Sequence, residues 1–214
     1  MRRTKEDAEK TKESILLSAM NLFYEKGYSK TTFDEIAKRI NLTKGAVYWY
    51  FRNKPDIVAA LINRFVRKFL EKQAQTLPCD DDLTFDDLID FVLRNSQMIQ
   101  EDERAYKFVF FLSCQMEWSE AIITKIRPLI EETKKYSRNV YYHCLEVLQK
   151  KGEIRKDVDI SLINEILLTM YGGALEAFLT KRLDVDFNTV IKNGFHLIYE
   201  GIKKKGEINE DKLS

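Results

Sequence analysis

Three observations predict an all-α protein. Proline and glycine, which punctuate many-stranded β proteins, supply only three and eight of the 214 residues. Apolar side chains recur at the helical spacing of three and four, as in Ile15, Ala19, Leu22 and Phe23. Hydrophobic residues make up 44% of the chain, which is enough to bury a sizeable core and argues against global disorder. We therefore expect helices packed on helices.

The first 54 residues contain signals for three closely spaced helices. Gly27 follows an amphipathic segment over 10–26 and can take the left-handed conformation that ends a helix. Thr32 and Glu35 form a capping box that opens the second helix. Asn41 stands where a tight turn needs positive φ, and Thr43 is the N-cap of a short third helix over 44–51. Two short capped helices joined by such a turn predict a helix-turn-helix unit.

The third helix has the shape that a recognition helix needs. Its leading end must be narrow, because the major groove of B-DNA is about 12 Å wide. Lys44, Gly45 and Ala46 provide one long cation beside residues with almost no bulk. We therefore expect this end to enter duplex DNA, with the capping residues Thr32 and Thr43 close by.

The aromatic residues that follow predict contacts to the rims of the groove. Tyr48, Trp49 and Tyr50 carry polar tips on rigid rings, which can donate to phosphate oxygens with little loss of side-chain entropy. Lys54 stands at the start of a fourth helix, beside N–H groups that favour an anion. Taken singly, such aromatic residues more often pack inside a helical bundle. The combined spacing, caps and charge favour DNA.

The charge distribution supports contact with a polyanion at one end of the chain. Residues 1–72 hold 16 Lys and Arg against 9 Asp and Glu, whereas residues 73–214 hold 19 against 25. A basic front and an acidic back indicate that only the front meets nucleic acid. The net charge of +1 disfavours a non-specific architectural protein, since such binders depend on phosphate neutralisation.

The remaining residues predict a larger helical body. We assign residues 1–54 to the DNA-binding domain, 55–205 to a ligand-binding and dimerisation domain, and 206–214 to a flexible tail. Residues 104–117 are apolar on nearly every side, which predicts a helix in the interior. The other helices are expected over 54–77, 85–100, 120–150, 159–181 and 187–204.

This body offers candidates for an effector pocket. Aromatic and sulfur-containing side chains give broad apolar surface, and a few polar groups supply handles. The candidates are Phe108, Phe111, Cys114, Gln115, Trp118 and Tyr136. An ordinary packed core is the alternative for each of them.

The last two helices offer candidates for a homodimer interface. A small-residue face and an apolar stripe would pair with their symmetry mates. The candidates are Gly173, Ala177, Phe187, Ile191 and Phe195. A two-fold dimer presents recognition helices about one DNA turn apart, roughly 34 Å, and so reads a palindromic operator. The alternative is that the stripe covers the chain's own core.

Several other classes of function are disfavoured. No apolar run near the roughly 20 residues of a membrane span is evident, and no signal peptide, so we expect a cytoplasmic protein without membrane contact. Cys79, Cys114 and Cys144 are expected to be reduced. With only two histidines and no phosphate-cradling loop, we expect no metal, no cofactor and no enzymatic activity.

The segment from Thr31 to Lys54 resembles the DNA-binding signature of the TetR family, and the opening residues 2–11 resemble its AcrR-like branch, which represses multidrug efflux pumps. Tyr50 and Asn41 depart from the signature, which usually has histidine and glycine there. The resemblance implies a dimeric repressor that leaves DNA when a small apolar or aromatic molecule binds the C-terminal body. By position, it assigns DNA contact to Thr32, Thr43, Lys44, Gly45, Tyr48, Trp49, Tyr50 and Lys54.

Overall fold

A computed structural model describes residues 5–74 and 82–204. Within those ranges the regular structure is helical, which confirms the all-α prediction, and the only β pairing is an isolated bridge between Ile154 and Lys203. The helices are α1 (Lys5–Lys26), α2 (Phe33–Arg39), α3 (Lys44–Tyr50), α4 (Lys54–Ala74), α5 (Phe85–Glu101), α6 (Glu103–Phe110), a π-helix (Phe111–Gln115), α7 (Glu120–Lys151), α8 (Ile160–Leu179) and α9 (Phe187–Ile202).

The chain divides into two compact units. The first comprises residues 1–76 and 95–135, and the second 77–94 and 136–214, as far as they are described. These bounds differ from the predicted boundary after residue 54. The reason is that α4 and α6 contribute to the same core as the three N-terminal helices. The predicted tail over 206–214 and the predicted end of α4 near Leu77 lie outside the described residues.

The core of the first unit joins α1, α2, α3, α4 and α6. Phe23 is fully buried on α1 and stacks on Phe111, with ring centroids 5.0 Å apart. The buried hydroxyl of Ser18 donates to the carbonyl of Ile36 at 3.0 Å and ties α1 to α2. Truncation of a large buried aromatic side chain to alanine costs about 3–5 kcal/mol, so this core holds the short helices α2 and α3 in place.

The expectation that residues 104–117 lie in the interior is wrong. Only one face of α6 is buried, through Ala105 and Phe108. The π-helix that follows leaves Ser113 and Cys114 exposed. Residues 104–117 therefore lie along the surface of the first unit, with one face buried and the other in solvent.

The core of the second unit corrects the predicted dimer stripe. Phe187, Ile191 and Phe195 on α9 are at most 2% exposed within the single chain. Phe187 packs on Tyr171 and Phe178, with ring centroids 6.1 and 5.3 Å apart. These three side chains have no surface left for a partner, and the alternative that the stripe covers the chain's own core holds for them.

Helix α8 remains largely uncovered, although it is apolar. Leu162 and Ile166 are 56% and 40% exposed, Gly173 is exposed and Ala177 is half-buried. Its 20 residues are long and apolar enough to cross a membrane by length and composition, contrary to the expectation that no such segment exists. This is weak evidence for a membrane span, since a helix that packs in a soluble protein passes the same test.

Candidate nucleic-acid interface

The turn between α2 and α3 is built by the residues that predict it. Thr32 caps α2: its hydroxyl accepts from the Glu35 N–H, and the Glu35 carboxylate accepts from the Thr32 N–H at 3.0 Å. Asn41 takes a φ of 55°, which lets the N–H of Leu42 donate to the carbonyl of Ala37 at 2.9 Å. This tight turn reverses the chain direction and packs α3 against α2 with only a short connection between them.

The leading end of α3 is open to solvent. The Thr43 hydroxyl accepts from the N–H of Ala46 at 3.2 Å, and both Lys44 and Gly45 are exposed. A Cβ added to Gly45 would meet only the Thr43 hydroxyl, at 3.9 Å. Packing in this chain therefore does not require glycine there. Buried Val47 anchors the opposite face of the helix in the core, so the Lys44 end faces outward.

Two aromatic side chains project from the same helix. Trp49 is 73% exposed and Tyr48 is 50% exposed. The ring of Tyr48 packs on Phe33 with centroids 4.7 Å apart, and the ammonium of Lys44 lies 5.9 Å from the Tyr48 ring centroid. One face of Tyr48 is thus fixed while the remainder is free to contact a partner.

Tyr50 and Lys54, both predicted to contact DNA, have polar groups that are buried or bonded within the chain. The Tyr50 hydroxyl is buried and has no hydrogen-bond partner among the described residues. The Lys54 ammonium donates to the carbonyls of Tyr28 and Ser29 at 2.8 and 3.1 Å. Burial lowers the pKa of Lys54. At most one of its three N–H groups remains for a phosphate, so Lys54 clamps α4 to the α1–α2 turn, while its contact with DNA stays a prediction.

The cations on and beside the two capped helices differ in whether they are paired. Those on α2 are neutralised: Lys38 pairs with Asp34 at 2.9 Å, and Arg39 forms two bonds to Glu25 at 2.6 and 2.7 Å. Lys44 has no ion-pair partner among the described residues, and the same holds for two exposed cations that the sequence interpretation passed over. These are Lys30 and Arg52. Their position beside the capped helices was the signal that could have identified them.

The predicted pocket residues whose side chains the structure describes lie in different environments. Phe108 stacks on Phe65 and Phe111 stacks on Phe23, so the packed-core alternative holds for both. The Gln115 amide donates to the Tyr24 carbonyl at 3.1 Å. Cys114 and Trp118 are exposed, and the side chain of Tyr136 lies outside the described part of the structure.

The capped helices match a known family. Residues 15–61 match the family described as bacterial regulatory proteins of the tetR family. Over 150 residues the chain is 30% identical to the HTH-type transcriptional regulator AcrR of Shigella flexneri, and the match covers 68% of this chain and 69% of that protein. This chain belongs to the TetR family. The predicted resemblance to the AcrR-like branch is thereby confirmed, and the enzymatic alternative is set aside because TetR proteins are regulators.

Other TetR-type proteins match most of the chain. The HTH-type transcriptional repressor BepR of Brucella suis biovar 1 (strain 1330) is 29% identical over 182 residues, which are 84% of this chain and 85% of BepR. Solved structures extend the likeness to the fold. NalD, the secondary repressor of the MexAB-OprM multidrug efflux pump in Pseudomonas aeruginosa, superposes with a TM-score of 0.74 at 21% identity, over 93% of this chain and 98% of NalD. SmeT, the repressor of the Stenotrophomonas maltophilia pump SmeDEF, gives 0.73 at 22% identity, over 94% of each chain.

Proposed function

We propose that this TetR-family protein is a cytoplasmic, ligand-responsive repressor that binds a palindromic operator as a homodimer. The observation that carries the proposal is the leading end of α3. Lys44 is exposed and has no ion-pair partner among the described residues, and Trp49 lies largely in solvent. The packing of this chain would tolerate a side chain at Gly45, so the glycine leaves the backbone open for a partner. A long cation beside a bare backbone fits a phosphate-lined groove.

Relatives support the regulatory part of the proposal. BepR is named a transcriptional repressor, and NalD and SmeT are repressors of multidrug efflux pumps. A structure of SmeT in complex with triclosan, a small aromatic molecule, is also known. We infer that an apolar or aromatic effector releases this chain from its operator and that the regulated genes encode an efflux system. Measurement of efflux-gene transcripts after deletion of the regulator tests the last point, and unchanged transcripts would contradict it.

Operator binding is tested by substituting Lys44. We expect Lys44→Ala to weaken binding to DNA from the region upstream of the chain's own gene by about tenfold or more, in line with the roughly 1–3 kcal/mol of one good groove contact. If Lys44 contacts a phosphate, the slope of log affinity against log salt should also fall by about one. The measurement is fluorescence anisotropy on upstream and random duplexes over a salt series.

The matched control removes the same charge elsewhere. Lys150 is exposed near the end of α7, and Lys150→Ala should leave operator affinity within about twofold of wild type, because only local contacts distinguish the two lysines. Both variants should melt with wild-type midpoints. Equal affinity of the wild-type protein for upstream and random DNA would contradict operator recognition and revive the non-specific alternative.

A further inference from the structure

A cleft of about 260 Å³ opens among α1, α4 and α6 in the first unit. Its volume lies just below the roughly 300–1,000 Å³ typical of ligand pockets, so it suits a small molecule. The lining comprises two apolar and four charged side chains. They are Leu17, Phe65, Arg64, Lys68, Arg104 and Asp102.

The charged part of the lining has an excess of cations. Arg64 pairs with Glu13 of α1, and Lys68 lies 3.5 Å from Asp102. The Arg104 guanidinium has no ion-pair or hydrogen-bond partner among the described residues. Three cations therefore face two carboxylates, and Arg104 is not used to hold the helices together.

The pair between Lys68 and Asp102 can exchange with a ligand at small cost. Lys68 is 65% exposed and its distance to Asp102 is long, and exposed pairs of this kind contribute only about 0–1 kcal/mol. Asp102 also has a separate task, because its Oδ1 accepts from the N–H groups of Arg104 and Ala105 at 2.9 and 3.2 Å. The start of α6 is thus already capped, and the donors left for a ligand are side chains.

The apolar part of the cleft is rigid. Phe65 stacks on Phe108 of α6 with ring centroids 3.8 Å apart and an interplanar angle of 5°. Leu17 of α1 lies on the same cleft. An aromatic ring or short acyl chain could cover these side chains while its charged end meets the cations.

We propose that the α1–α4–α6 cleft binds a small anion that carries an apolar group, of the size of an aromatic or short-chain carboxylate. Arg104 and Lys68 hold the charged end, and Phe65 and Leu17 contact the apolar end. None of the effector-pocket residues that the sequence predicts lines this cleft, although one of them, Phe108, supports its apolar wall from behind Phe65. The proposal does not depend on DNA binding by the chain.

The test compares benzoate with its neutral isostere benzamide on the full-length protein. Calorimetric titration should show saturable binding of benzoate and at least about tenfold weaker binding of benzamide, since hydrogen bonds to charged groups contribute more than neutral ones. Inorganic phosphate alone should also bind at least about tenfold more weakly than benzoate, because it lacks the apolar group. Equal binding of benzamide or of phosphate, or no saturable binding of benzoate, would overturn the proposal.

Two arginine variants locate the site. Arg104→Gln should weaken benzoate binding at least about tenfold, whereas Arg67→Gln, an exposed arginine of α4 outside the cleft, should change it less than about twofold. Equal effects of the two variants would place the anion elsewhere and refute the assignment. Operator affinity without benzoate, measured on the same samples, should match wild type for both variants. Loss of benzoate binding with unchanged operator affinity therefore distinguishes this site from the proposed DNA-binding function.

Discussion

Glu35 links α1 to α2 by accepting from Thr32 while it pairs with Lys26. The hydrogen bond from Lys26, followed by those from the Thr32 side chain and backbone, lowers the pKa of Glu35 to about 2. A carboxylate whose pKa is lower in the folded than in the unfolded state stabilises the fold above its unfolded pKa, near 4.5. That contribution is lost as the pH falls toward 2.

We expect Glu35→Gln to reduce this pH dependence. Glutamine can still complete a capping box, so the variant chiefly removes the charge. The difference in free energy of unfolding between wild type and variant should be full at pH 6 and shrink as the pH falls below about 4.5. Urea unfolding between pH 6 and pH 3 measures it. Glu71→Gln, an exposed change near the end of α4, is the control and should show a smaller trend.

Tyr48 packs within the fold and is also predicted to contact DNA. Its ring packs on Phe33, so truncation to alanine removes packing as well as the hydroxyl. We expect Tyr48→Phe to keep the melting midpoint of wild type and to weaken operator binding if the hydroxyl donates to phosphate. Tyr48→Ala should lower both. A Tyr48→Phe variant with unchanged operator affinity would show that the hydroxyl is not a contact.

At the scale of the element, the α2–α3 turn depends on backbone conformation at Asn41. Its side chain is exposed and its φ of 55° is strained for most residues other than glycine. We expect Asn41→Ala to lower the free energy of unfolding by about 1 kcal/mol and Asn41→Gly to leave it within about 0.5 kcal/mol. Chemical denaturation of the three proteins measures this. Equal losses in both variants would mean that a side-chain contact matters instead.

At the scale of the whole molecule, the exposed apolar face of α8 is the surface that we expect a second copy to cover. Specific interfaces bury about 800 Å² per partner, with unpaired charge disfavoured at the centre. Leu162→Glu together with Ile166→Glu should therefore convert the dimer to a monomer and abolish tight binding to a palindrome. Light scattering and operator titration measure the two effects.

A control for that experiment introduces the same charge at another exposed apolar residue. Trp118 is 47% exposed and follows the π-helix of the first unit. Trp118→Glu should leave the dimer intact. A double α8 variant that stays dimeric and well folded would show that the partner surface lies elsewhere.

The local chemistry of the chain was sufficient to predict the helix-turn-helix. Thr32, Thr43, Gly27 and Asn41 act on backbone groups within about four residues of themselves, so their roles can be inferred without knowledge of distant neighbours. The exposure of Lys44 and Trp49 was predicted from the same short segment, and the structure buries Val47 and Phe51 on the opposite side.

Contacts between distant residues could be assigned only from the tertiary structure. An apolar stripe indicates that one helix face is buried, but it does not indicate what covers that face. Phe187, Ile191 and Phe195 are buried within their own chain, whereas Leu162 and Ile166 of α8 are exposed. Lys54 meets a carbonyl 26 residues away, and Arg64 meets Glu13 across two helices. Periodicity and capping are local properties of the chain, while the partner of a side chain depends on which helices the fold brings together.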